Sequence, residues 1–210
     1  MGHAIYSFGM GRACMTAFFG ILSLVLSFGV TLPYAIDVVK GRARLARSTR
    51  VLFLLLLLVT LIIQGTEFTS WVLLLTVGEI MTQVLLFVLS IRYGVGGLAR
   101  LDIFCYVAFV ASLLAYLLTK DATLSLTLLI LTDLIAFLPT LAKNWRDPSS
   151  DTWLFFVVGG MGAAGASLLA RSTNTYIELA FPVYIFVANA LAAAPILLYA
   201  QRKRAKGVND

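Results

Sequence analysis

Long apolar stretches alternate with short polar or basic breaks along the whole chain; one of them reads "VLFLLLLLVTLII" from Val51. A membrane-crossing helix needs roughly 20 predominantly apolar residues, within a range of about 17–25. Set against turn and charge signals, the pattern predicts spans near Met15–Val38, Val51–Gly65, Ser70–Ile91, Ile103–Leu118, Ala122–Ala142, Trp153–Ala170 and Tyr176–Ala200. The expected class is an all-α membrane protein with seven transmembrane helices.

Composition sharpens that picture. Hydrophobic residues make up 60% of the 210 and charged residues 12%, against about 45–50% and about 25% in soluble domains. Hardly any chain is left for a soluble domain. The N-terminal apolar run continues to Val38, longer than a signal-peptide core. The position a myristoylation motif reserves for Ser or Thr holds Tyr6.

The basic residues are unevenly shared between the two sides. The break after the first span carries Lys40, Arg42, Arg44, Arg47 and Arg50. Later breaks on the same side carry Arg92, Arg100, Lys143 and Arg146, and the tail Arg202, Lys203, Arg204 and Lys206. Thirteen of the 16 Lys and Arg fall on this side, with Arg12, Lys120 and Arg171 opposite. The positive-inside rule makes the crowded side cytoplasmic, placing the N-terminus outside and the C-terminus inside. Topology and attraction to anionic lipid then account for the net charge of +6. The expected partner is the lipid bilayer, with no nucleic acid, and the expected location is the plasma (inner) membrane, crossed several times. Trp71, Trp153 and Tyr176 suit an interfacial aromatic belt, and Glu67 and Glu178 lie near the outer ends of their spans.

The residue inventory excludes much chemistry. The single histidine, His3, and the two cysteines, Cys14 and Cys105, form no zinc constellation and no Ser-His-Asp or Cys-His arrangement. The cysteines read as small packing residues. No metal, cofactor or catalytic residue is expected, and the chain is not read as an enzyme. Retinal attachment needs a buried lysine, which Tyr176–Ala200 lacks. "GGMGAAGAS", Gly159 to Ser167, spaces small residues three and four apart and predicts close helix packing.

The informative residues are polar ones at membrane depth. An ionisable side chain there costs at least about 2.5–3.5 kcal/mol and is by default a functional candidate. Glu79 falls midway along the third span, with Gln83 one turn on along the same face. Asp133 falls midway along the fifth, with Ala136 and Thr140 continuing its face. Asn189 is central in the seventh, between Tyr184 and Pro195. Two carboxylates in one low-dielectric cavity repel. Either one holds a proton, making Asp133 and Glu79 candidates for proton coupling, or a cationic solute supplies the missing charge. The competing structural role is interhelical hydrogen bonding, worth about 1–2 kcal/mol or less.

A weak internal repeat organises these positions. Aligning Pro33 with Pro139 matches Leu32 to Leu138, and a basic, turn-forming break follows each proline. Glu79 lies thirteen residues before Arg92, and Asn189 thirteen before Arg202. Two copies of three spans joined by one more span point the same way, giving parallel repeats. The boundaries are then 1–95 for the first repeat, 96–120 for the linker helix, 121–201 for the second repeat and 202–210 for a cytoplasmic tail. Proline removes a backbone hydrogen bond and can kink a span, so Pro33 and Pro139 are read as hinges or static kinks.

This 3+1+3 layout, the outside N-terminus and the stretch "DLIAFLPTLAKNWRDPSSDTW" resemble the SWEET/PQ-loop (MtN3-like) transporter superfamily. The proline motif departs from that family's Pro-Gln, reading Pro33-Tyr34 and Pro139-Thr140. The resemblance implies alternating-access movement of a small solute such as a sugar or amino acid. It further implies a central cavity, with Glu79, Gln83, Asp133 and Asn189 as solute-binding residues. Asn189 then stands where the family similarly places a substrate-binding asparagine, and Glu79 at its counterpart in the first repeat argues against a neutral sugar. A non-transporting membrane receptor or sorting protein on the same scaffold is the alternative, and a homo-oligomer is compatible with either.

Overall fold

The computed structural model describes residues 2–43, 45, 47–67, 73–94, 100–170 and 176–205. Arg44, Trp71, Arg171 and Lys206 lie outside the described residues, as do the side chains of His3, Arg12, Cys14, Glu67, Tyr176, Glu178 and Arg204. Among the described residues eight α-helices follow one another: α1 (Gly2–Gly29), α2 (Thr31–Val39), α3 (Arg47–Glu67), α4 (Leu73–Tyr93), α5 (Arg100–Thr119), α6 (Ala122–Arg146), α7 (Trp153–Ala170) and α8 (Tyr176–Ala205). Among the described residues six stretches are long and apolar enough to cross a membrane, the first formed jointly by α1 and α2, and the shorter apolar Trp153–Leu168 in α7 is a seventh candidate. The architecture is that of an all-helical, multi-pass membrane protein.

Helix ends differ from the sequence expectation where polar residues adjoin an apolar run. α3 starts at Arg47 rather than Val51, α6 continues to Arg146 and α8 to Ala205. Lys and Arg are good helix formers whose long stems lie along apolar surface while their charges reach out. The N-terminal stretch is helical from Gly2. The tight α5–α6 connection turns at Lys120, which adopts φ 55°, and Asp121 then caps α6 by accepting from the Leu124 amide at 3.0 Å.

The duplicated prolines act differently on their helices. The first span breaks at Val30, between α1 and α2, where the Val30 amide reaches Leu26 O only at 3.4 Å. Pro33 lies just beyond, and its ring crowds the carbonyl four residues earlier, that of Gly29. Hydroxyls support the break: Thr82 of α4 donates to Ser27 O at 3.1 Å and lies 2.7 Å from Thr31 Oγ1. Neighbouring hydroxyls often stabilise broken helices in membranes this way. α6, by contrast, runs unbroken through Pro139.

Packing gathers the helices into two triplets and one outlier. α4 packs against both α1 and α3, and α8 against both α6 and α7. α1 meets α7 and α3 meets α6, closing the bundle from both sides, while α5 rests on α6 and α3. Asp102 and Tyr106 pin α5 to the start of α3: Ser48 Oγ donates to Asp102 at 2.6 Å, and the Tyr106 hydroxyl to Ser48 O at 2.9 Å. Buried Cys105 packs in the apolar cluster of α3, α5 and α6. The glycine run lets α7 approach α1 closely. A Cβ on Gly162 would stand 2.9 Å from Ser27 Oγ and 3.1 Å from Ser23 O.

Candidate functional site

Between the triplets lies a cavity of about 250 Å³. It is lined from the first span, α3, α4, α6, α7 and α8 but not from α5. Each helix presents one face to it. Glu79, Thr82 and Gln83 come from α4; Asp133, Ala136 and Thr140 from α6; Tyr184, Ala188 and Asn189 from α8. All four sequence-predicted solute residues therefore meet in one space, and Pro139 lines it too. Pro33 is exposed and lies outside the lining.

Much of the lining recurs at a single spacing. Ser27 and Asp133, Val30 and Ala136, Tyr34 and Thr140 are each 106 residues apart, and all six line the cavity. The same spacing relates Thr49 to Phe155, Arg50 to Phe156, Phe53 to Gly159, Glu79 to Ile185, Thr82 to Ala188, and Gln83 to Asn189. Helices α3 and α7 also begin 106 residues apart. This register, which follows from aligning the two prolines, needs no gap. It sets Asn189 beside Gln83 and Glu79 beside Ile185, whereas counting back from the arginines sets Asn189 beside Glu79. The charges do not repeat, since Asp133, Glu79 and Arg50 stand opposite Ser27, Ile185 and Phe156.

Asp133 and Asn189 have definite hydrogen-bond partners. The Tyr184 hydroxyl of α8 donates a short hydrogen bond to Asp133 Oδ2 of α6. Glu79 and Ser27 both line the cavity where α4 packs on the first span, and Ser27 Oγ is buried with no hydrogen-bond partner among the described residues. Asn189 Nδ2 donates to Ile185 O of its own helix at 2.9 Å, and its Oδ1 is turned toward Gly159. Among the described residues neither Glu79 nor Asp133 has a basic group within salt-bridge distance.

Arg50 is the residue sequence reading misplaced. Counted there among the topology-setting charges between spans, it belongs to α3 and lines the cavity. Its guanidinium donates to Gln83 Oε1 at 3.3 Å and lies 6.0 Å from the Phe53 ring centre. Its Nε is buried and finds no acceptor among the described residues. The signal was present: Arg50, Phe53 and Leu57 recur at i, i+3 and i+7, one helical face.

The cavity end near Arg50 is closed by contacts between the triplets. Tyr34 of α2 stacks on Phe155 of α7 with ring centres 4.4 Å apart. Asp37 Oδ2 accepts from Thr152 Oγ1 at 2.8 Å; within the second triplet, Lys143 pairs with almost fully buried Asp151 at 2.6 Å. Among the described residues no cluster of three or more His, Cys, Asp or Glu side chains is arranged to hold a metal.

Compared with known proteins, the chain matches no family model, no curated protein and no solved structure.

Proposed function

We propose that the protein carries a small polar solute across a membrane by alternating access, using this cavity as its solute site. The carrying observation is that both triplets contribute to one charged cavity through positions 106 residues apart. Transporters built from repeats place their sites at the repeat interface near the bilayer midplane. On this reading α1–α4 and α6–α8 are parallel repeats and α5 is the linker that restores their direction.

The packing supports that arrangement. In each triplet the third span sits between the other two, and the contacts joining the triplets, α1 with α7 and α3 with α6, exchange under a two-fold operation. The basic cavity end is then cytoplasmic, and the Tyr34–Phe155 and Asp37–Thr152 contacts close it. Small contact changes between two rigid triplets suffice for rocking-type access. The cavity lies just under the roughly 300–1,000 Å³ of drug-sized sites, which favours a compact solute.

Glu79 and Asp133 supply two negative charges that no basic side chain among the described residues neutralises. A proton carried with the solute relieves that repulsion and couples transport to a proton gradient. Flux into liposomes bearing the purified protein tests the proposal; solute binding with no flux for any solute would favour a receptor.

A further inference from the structure

Three charges in the cavity lack partners of opposite sign among the described residues: the carboxylates of Glu79 and Asp133, and the guanidinium of Arg50. Charges withdrawn from water are costly unless paired and hydrogen-bonded. Here the signs are also separated in space. Gln83 anchors Arg50 and stands four residues beyond Glu79 on α4, a rise of about 6 Å at 1.5 Å per residue. Asp133 faces the carboxylate level from the opposite triplet.

The cavity therefore has a cationic end and an anionic middle. The cationic end is prepared for a carboxylate. Arg50 presents a planar fork of donors suited to bidentate pairing, and its buried Nε is unused. It lies in the first turn of α3, where free backbone amides add positive character. Thr49 lines the cavity beside it. Lys143, the other cation in the lining, is already neutralised by Asp151.

We propose that the cavity takes a zwitterion, its carboxylate on Arg50 and its ammonium group between Glu79 and Asp133. This rests on the reading of the cavity as a solute site and narrows the solute to an amino acid or similar compound with both charges. Neutral sugars leave all three protein charges unanswered. Simple amines leave Arg50 without an anion. A zwitterion answers both signs, and the one remaining negative charge is where a coupled proton fits.

Calorimetric binding to the purified, detergent-solubilised protein tests this with glycine, β-alanine and 4-aminobutyrate as zwitterions. Propionate, propylamine and glucose are the partial or neutral probes. At least one zwitterion is expected to bind ten-fold or more tightly than every partial probe. Arg50→Gln should lose that preference while retaining propylamine binding, and Arg50→Lys should keep part of it; the propylamine signal reports that the variant is folded. Glucose or propylamine binding as tightly as the best zwitterion to the unaltered protein would overturn the inference. So would an Arg50→Gln protein with undiminished zwitterion affinity. Flux of some other solute without zwitterion binding would sink the inference and leave transport standing. Zwitterion binding without flux of any solute would do the reverse.

Discussion

Gln83 and Asn189, 106 residues apart, face one cavity from the middle helices of the two triplets. Their duties differ. Gln83 holds Arg50 through its Oε1, whereas Asn189 spends its Nδ2 on Ile185 O of its own helix. Each to alanine is expected to weaken solute binding, by about 1–2 kcal/mol where a buried partner is left unsatisfied. Gln83→Ala should be the more damaging because it also releases the guanidinium. Calorimetry on both variants checks the order; a larger effect at Asn189 would contradict it.

The close approach of α7 to α1 gives a prediction about stability alone. Gly162→Ala puts a methyl group 2.9 Å from Ser27 Oγ and 3.1 Å from a backbone oxygen of α1. Overpacking of this kind costs about 1–3 kcal/mol. Gly160→Ala, whose nearest neighbour is Asn189 Cβ at 3.4 Å, is expected to be tolerated. Melting of the two purified variants in detergent should show a clear drop only for Gly162→Ala.

The two prolines should differ in effect. Pro33→Ala supplies the missing amide where the first span breaks, so it is expected to straighten the Val30 junction and slow turnover. Pro139→Ala alters a helix that is already continuous, and its effect on flux should be the smaller one. Equal losses in the two variants would mean that the break at Val30 has no part in opening the cavity.

Most of the fold was legible because a lipid-facing helix announces itself by composition. The seven expected spans correspond to the first span and to α3–α8, and the sixth, Trp153–Ala170, matches α7 residue for residue. Boundaries missed where Arg47, Arg146 and Arg202 extend helices past the apolar run, since hydropathy counts such residues as the end. Glu79, Gln83, Asp133 and Asn189 were legible as polar groups out of place in hydrocarbon. Arg50 was not, because an arginine beside an apolar run looks like a topology signal until its face of α3 is seen to turn inward. The contacts of Tyr184 with Asp133 and of Asp37 with Thr152 bridge 51 and 115 residues, and no local pattern reveals pairs so distant.

Asp37 and Thr152 also provide a test of movement. They are hydrogen-bonded across the triplets at the Arg50 end of the cavity. Replacing both by cysteine, with Cys14→Ser and Cys105→Ser to remove competing thiols, creates a pair that oxidation or a short crosslinker can join. Crosslinking is expected to stop flux and reduction to restore it. Undiminished flux in the crosslinked protein would show that these ends need not separate.

The central claim is that Glu79 and Asp133 form the working part of a transport site. Its most direct measurement is uptake of labelled amino acids into proteoliposomes, with and without a proton gradient, for the unaltered protein, Glu79→Gln and Asp133→Asn. The account predicts gradient-stimulated uptake by the unaltered protein. Each variant should lose that stimulation and at least ten-fold of the rate while melting close to the unaltered protein. Uptake and gradient response unchanged in both variants would contradict it.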